Sequence, residues 1–179
     1  MSKINKTMSK VKFESNLVKK AIQGDKEALF AMFHAFIGPE EHIFEARYLG
    51  SYGFLLNKTR SLVCLTDKRV AVIQLGKLGK VVYQDAFIEE VNSGVIYQPS
   101  LFGLYLVGIL LACTLIGILL IPSWVQIFYL LNKSGMVWSI REGINIYAFA
   151  NQSKINEVNR FWRHLANVRT QRVQFLKGK

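Results

Sequence analysis

Between Glu90 and Lys133 the chain carries no charged residue. Inside that gap lies an apolar stretch, Leu101–Leu131, reading LFGLYLVGILLACTLIGILLIPSWVQIFYLL. Its first part, Leu101–Ile121, is apolar apart from Thr114. As a helix rising ~1.5 Å per residue it is long enough to cross a bilayer core of ~30 Å. A helix of a water-soluble domain keeps a polar face, and this one has none. Gly103, Gly108 and Gly117 would weaken a water-exposed helix but are common in membrane helices. The expectation is therefore a membrane-inserted segment, with Trp124 and Tyr129 at headgroup level. The N-terminal MSKINKTMSKVKFESN is polar and basic with no apolar core, so the internal segment is expected to direct its own insertion.

Charge and composition narrow the function classes. The net charge is +11 and 51% of the 179 residues are apolar. A chain this apolar is not disordered, and its length suits one domain. Residues 1–100 hold 14 basic and 10 acidic side chains, while residues 132–179 hold 9 and 2. The basic residues are scattered rather than gathered in a stripe, so nucleic acid is not an expected partner. Cys64 and Cys113 have no paired metal-ligand spacing, and His34, His42 and His164 add little to it. No metal and no cofactor are expected.

The periodicity divides the chain. Residues 1–12 read as a basic tail. Phe13–Gln23 is weakly helical, with Gly24 as its stop and Asp25 as the N-cap of the next helix. That helix, Lys26–Ile37, carries an apolar stripe of Leu29, Met32, Phe33, Phe36 and Ile37, expected to pack on the domain's own core. From Glu41 the period changes to two. Phe44, Ala46 and Tyr48 alternate with Glu45 and Arg47. Ser61–Thr66 and Arg69–Leu75 flank Asp67-Lys68 as a hairpin. Lys80–Ile88 follows a glycine turn at Gly76–Gly79. A fifth strand, Val91–Gln98, is bulged near Ser93-Gly94. Met136–Ile140 and Ile144–Ala150 form a second hairpin. A helix then starts near Asn151 or Ser153, with Ile155, Val158, Trp162 and Leu165 as its stripe and His164 as a solvated surface residue. The tail from Arg169 is expected to be loose.

Two helices, five strands, an apolar segment, two strands and a helix resemble the pleckstrin-homology superfold, and bacterial PH-like families in particular. Leu65-Thr66-Asp67-Lys68-Arg69 looks like their LT-(D/N)-x-R hairpin, and Asn159-Arg160-Phe161-Trp162 with Leu165 resembles their closing helix. The resemblance implies an α+β fold: a PH-like barrel of about seven antiparallel strands closed by a C-terminal helix. Two short helices precede it, and a membrane hairpin or span is inserted between strands 5 and 6. The expected units are 1–39 (tail and helices), 40–100 (strands 1–5), 101–132 (membrane segment), 133–168 (strands 6–7 and closing helix) and 169–179 (tail). Both ends of the insertion must then lie on one side of the bilayer, which favours a hairpin turning at Gly117 or Pro122-Ser123. Two arms of about 14 residues reach only ~21 Å each.

No nucleotide-binding glycine loop and no GxSxG elbow occurs. Glu40-Glu41 and Glu89-Glu90 are adjacent acids that point to opposite faces of a strand and read as solvated surface. Cys64 reads as a small buried residue. One basic set stands out. In the PH superfold, loops 1/2, 3/4 and 6/7 gather at the open end, where some members bind phosphorylated headgroups. Here those loops hold Lys58, Arg60, Lys77, Lys80 and Arg141, each worth ~1 kcal/mol toward anionic lipid near a surface. The expected function is a non-catalytic, membrane-tethered PH-like module at the cytoplasmic face of the cell (inner) membrane. It would act as a scaffold or adaptor, or as a headgroup-binding domain. Its expected partners are membrane lipids and either protein partners or further copies of itself. The alternative is an accessory subunit of a larger integral membrane complex.

Overall fold

Six consecutive residues of strand β2 (Thr59–Thr66), from Ser61 to Thr66, are buried. A strand with one wet face would alternate, so β2 must be covered on both sides. The computed structural model shows how. It describes residues 11–38, 40–53, 58–76, 79–114, 120–125, 127–128, 134–141 and 143–178. Strands β1 (Ile43–Tyr52), β2, β3 (Arg69–Gly76) and β4 (Val81–Phe87) form an antiparallel sheet in that order. Leu62, Cys64, Ala71 and Ile73 face helices α1 (Ser15–Gln23) and α2 (Lys26–His34), packing on Ala21, Leu29, Met32 and Phe33. Val63, Leu65, Val70 and Val72 face the other way, toward a second sheet of β5 (Val91–Tyr97), β6 (Ser134–Ile140) and β7 (Asn145–Ala150). Helix α4 (Ile155–Lys177) closes that core with Val158, Phe161 and Leu165.

The local devices are those the residues dictate. Gly24 ends α1 in the left-handed conformation, at φ 91°, and the Asp25 carboxylate accepts the Ala28 N–H at 2.9 Å to cap α2. Leu29, Met32, Phe33 and Ile37 of the apolar stripe are buried in the domain's own core, and Phe36 packs partly buried against it. The ladder of β5 slips between Val91 and Ser93, and Gly94 leaves room for the Trp162 ring, which a Cβ there would meet at 2.3 Å. Cys64 is buried.

The PH-like barrel does not form. The chain leaves β4 through a single 3-10 turn, Ile88–Glu90, and begins a new sheet, so the strands make a four-stranded and a three-stranded sheet and neither closes. The sheets are joined where the Gln74 side chain donates to the Tyr147 carbonyl at 3.0 Å and at a seam on Asn151. The Asn151 N–H donates to the Leu49 carbonyl at 3.0 Å, and its side-chain oxygen accepts the Ser51 N–H at 2.9 Å. Gly50, at φ 128°, lies between those contacts, and a Cβ on it would meet Asn151 at 2.6 Å.

The membrane-embedded segment is likewise overturned, and with it the location in the cell membrane. Among the described residues no helix is long and apolar enough to cross a membrane. Helix α3 (Phe102–Ala112) has 11 residues, or about 16 Å. Cys113 and Thr114 follow it as a turn, their N–H groups donating to the Ile109 and Leu111 carbonyls at 3.2 and 3.1 Å and the Thr114 hydroxyl donating to the Leu111 carbonyl at 3.0 Å. Residues 120–125 and 127–128 are helical, so Pro122-Ser123 is not the turn. Gly117 and Tyr129 lie outside the described residues. Trp124 seats on Gly108, and the Tyr105 and Phe128 rings lie 5.1 Å apart, so the two pieces run antiparallel as a short arm. The expected hairpin or span needed a longer helix than the 11 residues of α3.

Two further expectations are corrected. Glu41 is not solvated: it is buried, and the Arg69 guanidinium donates to both of its oxygens at 2.6 and 3.0 Å while reaching Asp85 at 2.6 Å. The C-terminal tail is not loose, because α4 runs on to Lys177.

The seam makes a direct prediction. Gly50→Ala adds backbone strain and a clash with Asn151, and should cost ~3 kcal/mol or more. Gly24→Ala, also at positive φ but with nothing within 4 Å, should cost only ~1–2 kcal/mol. Urea midpoints of the two variants check the order; equal losses would mean that the seam contributes nothing beyond backbone strain.

Candidate functional site

Arg60 is the second residue of β2, and Lys80 leads into β4 after a turn closed by the Gly76 N–H donating to the Lys80 carbonyl at 2.7 Å. Both line a pocket of about 360 Å³ between that turn and α1. Lys12 and Lys19 line it too, over an apolar floor that includes Phe13, Val18, Leu75 and Val81. Among the described residues, four cations and no carboxylate line this space. Lys58 precedes β2 and is exposed but does not line the pocket, and Lys77 lies outside the described residues. Arg141 sits in the β6–β7 turn, its N–H donating to the Glu90 carbonyl at 3.0 Å, and does not line the pocket either. The structure thus brings Arg60 and Lys80 together and replaces the remaining loops with α1. Ser15, Val18, Lys19 and Ile22 all line the pocket, at the i, i+3, i+4, i+7 spacing of one helix face. That spacing was visible in the sequence.

A second and larger concavity, about 830 Å³, lies across β1. One wall is the α1–α2 corner, with Ile22, Lys26, Leu29 and Phe30, and the other is the start of α4, with Glu157, Arg160 and His164. Its floor is the run Phe44–Tyr48 of β1. The His164 ring, expected to stand free in solvent, meets the Glu45 carboxylate at 2.7 Å from Nδ1. Arg47 pairs with the same carboxylate and lies 3.9 Å from Glu157. Lys154, just ahead of α4, donates to the Tyr48 carbonyl at 3.1 Å and lies 3.7 Å from Glu157. Burial works to raise the Glu45 carboxyl, but the hydrogen bonds from His164 and Arg47, backed by their charge, outweigh it and hold the group below its ordinary value.

Among the described residues no three His, Cys, Asp or Glu side chains gather as a metal site. Comparison of the chain with protein-family models, with curated proteins and with solved structures found no match.

The Glu45 contacts carry a pH prediction. A carboxyl whose folded value is lowered adds stability above its unfolded value, and that stability is lost as pH falls through the folded one. Glu45→Gln should therefore destabilise the protein by ~1–2 kcal/mol at neutral pH. The difference from the parent should shrink below the ordinary carboxylate range, near pH ~4. Urea titrations at several pH values check this; a gap that stays constant down to pH ~3 would remove Glu45 ionisation from the stability of this face.

Proposed function

We propose that this protein is a non-catalytic scaffold that associates through its apolar arm, the arm of one copy packing on that of a second. One observation carries the reading: α3 is apolar along its length and none of its 11 residues is buried. Phe102 is 75% exposed and Ile109 66%. Leu106, Leu110, Leu120 and Ile127 are each close to half exposed or more. At ~200 Å² per large side chain, these six alone offer roughly 700 Å² per copy. A standard interface buries ~800 Å² per partner. Patches of that size on a lone chain mark interaction sites. The arm carries no charge, so two copies meet without repulsion there despite a net charge of +11 each.

A photoreactive side chain at position 106, activated in cells, should give a crosslinked species of twice 20.4 kDa. Phe102→Ser combined with Ile109→Ser and Leu110→Ser should reduce that species at least tenfold and leave the unfolding free energy from urea titration within ~0.5 kcal/mol of the parent. Crosslinks to a different protein alone would support the accessory-subunit reading instead. Crosslinks to lipid alone would exclude both.

The basic pocket favours a second role, recognition of an anionic group such as a phosphate, because four cations converge with no acid among them. Calorimetry with inorganic pyrophosphate checks it. Arg60→Gln with Lys80→Gln should weaken binding about tenfold, and Lys58→Gln should have little effect. Equal effects of the two changes would reduce the pocket to general electrostatic attraction.

A further inference from the structure

We propose that the groove across β1 takes an extended acidic peptide, which adds as a strand to the open edge of β1. The proposal starts from sheet order. β1 is the outer strand of the four-stranded sheet, with β2 on one side only. Every second residue of such a strand turns its N–H and C=O away from its neighbour. The Tyr48 carbonyl is one of these, since Lys154 reaches it from the groove side at 3.1 Å. Register is regular from Glu45 to Tyr48, so the backbone of Ala46 turns the same way. Five consecutive residues, Phe44–Tyr48, line the groove. Neighbours on a strand point to opposite faces, so a space touched by all five runs along the strand's edge rather than over one face. Five residues at ~3.4 Å give an edge of about 17 Å.

Charge selects the occupant. Both acids in the groove are already engaged, Glu45 by His164 and Arg47, and Glu157 by Arg47 and Lys154. Lys26 on one wall and Arg160 on the other make no ion pair among the described residues. The two unengaged charges are positive and stand on opposite sides of the strand edge. A peptide laid along β1 would place alternate side chains toward each wall, and carboxylates there would meet Lys26 and Arg160. Apolar residues between them would lie on Leu29, Phe30 and Phe44. Lys154 already supplies one donor where the N–H of an added strand would sit, so it marks the end of the added strand.

The test uses the full chain and a fluorescein-labelled decapeptide of alternating Glu and Val, with an alternating Lys and Val peptide as control. The acidic peptide should bind saturably and the basic one should not. Lys26→Glu with Arg160→Glu, both at the protein surface, should weaken binding at least tenfold without moving the urea midpoint. On binding, the amide of Ala46 should exchange at least tenfold more slowly, while that of Ile73 in the central strand β3 stays unchanged. Binding that leaves Ala46 exchange unaltered, binding that survives the double reversal, or no saturable binding would each overturn the proposal. So would an Ala46 amide that becomes protected as the protein alone is concentrated, because a second copy would then be filling the edge.

Discussion

The two sheets share one buried core, and at its edge Asn151 closes on β1, where residue 50 has no side chain to obstruct it. The closure does more than join sheets. Asn151 is followed within a few residues by α4, so fixing it on Leu49 and Ser51 fixes where that helix begins relative to β1. The gap between α4 and the α1–α2 corner follows from this, and that gap is the groove. Lys154 on Tyr48, Glu157 near Arg47 and His164 on Glu45 then tie the α4 region to three residues of β1. These contacts are local consequences of a helix already aimed by the seam.

A separate tie holds the far end of β1. Arg69 bridges Glu41, just ahead of β1, to Asp85 on β4, and the Thr66 hydroxyl joins the same group by donating to Glu41 at 3.2 Å. Two carboxylates share one guanidinium, which lies over the Phe87 ring at 5.2 Å from its centre. Removing Arg69 would strand a buried carboxylate, the costly way to break such a cluster. The sheet is thus pinned by charge at the β2–β3 turn and by close backbone approach at the seam.

The order of elements was legible because each rests on local chemistry. Asp25 and Gly24 mark a helix junction, Asp67-Lys68 marks a hairpin, and Ser93-Gly94 marks a bulge. Closure of the sheets was not legible, because it depends on residues about a hundred positions apart, Leu49 and Asn151. The pairing of Glu41 with Arg69 is similarly non-local, and adjacent acids carry no mark of burial. In the arm, composition misled. Apolar residues without a polar face say that a segment avoids water, not how long its helices are, and α3 ends after 11 residues. Of the basic residues, Arg60 and Lys80 were found by loop position, while Lys19 needed the helix face that carries it to be packed beside the β3–β4 turn.

The arm also has a topological meaning. β5 and β6 pair directly, and their last rung joins Tyr97 to Gly135. Among the described residues, none from Gln98 to Phe128 pairs with either sheet, and the chain returns to the point it left. In a smaller protein the same rung could be closed by a tight turn. Lengthening a closed loop costs only ~0.6 kcal/mol per doubling, so the whole insertion adds about 2 kcal/mol over a four-residue turn. None of the α3 side chains joins either buried core. The arm is therefore a cassette: selection can lengthen, shorten or rewrite it to suit a new partner while the sheets that hold it keep their packing unchanged.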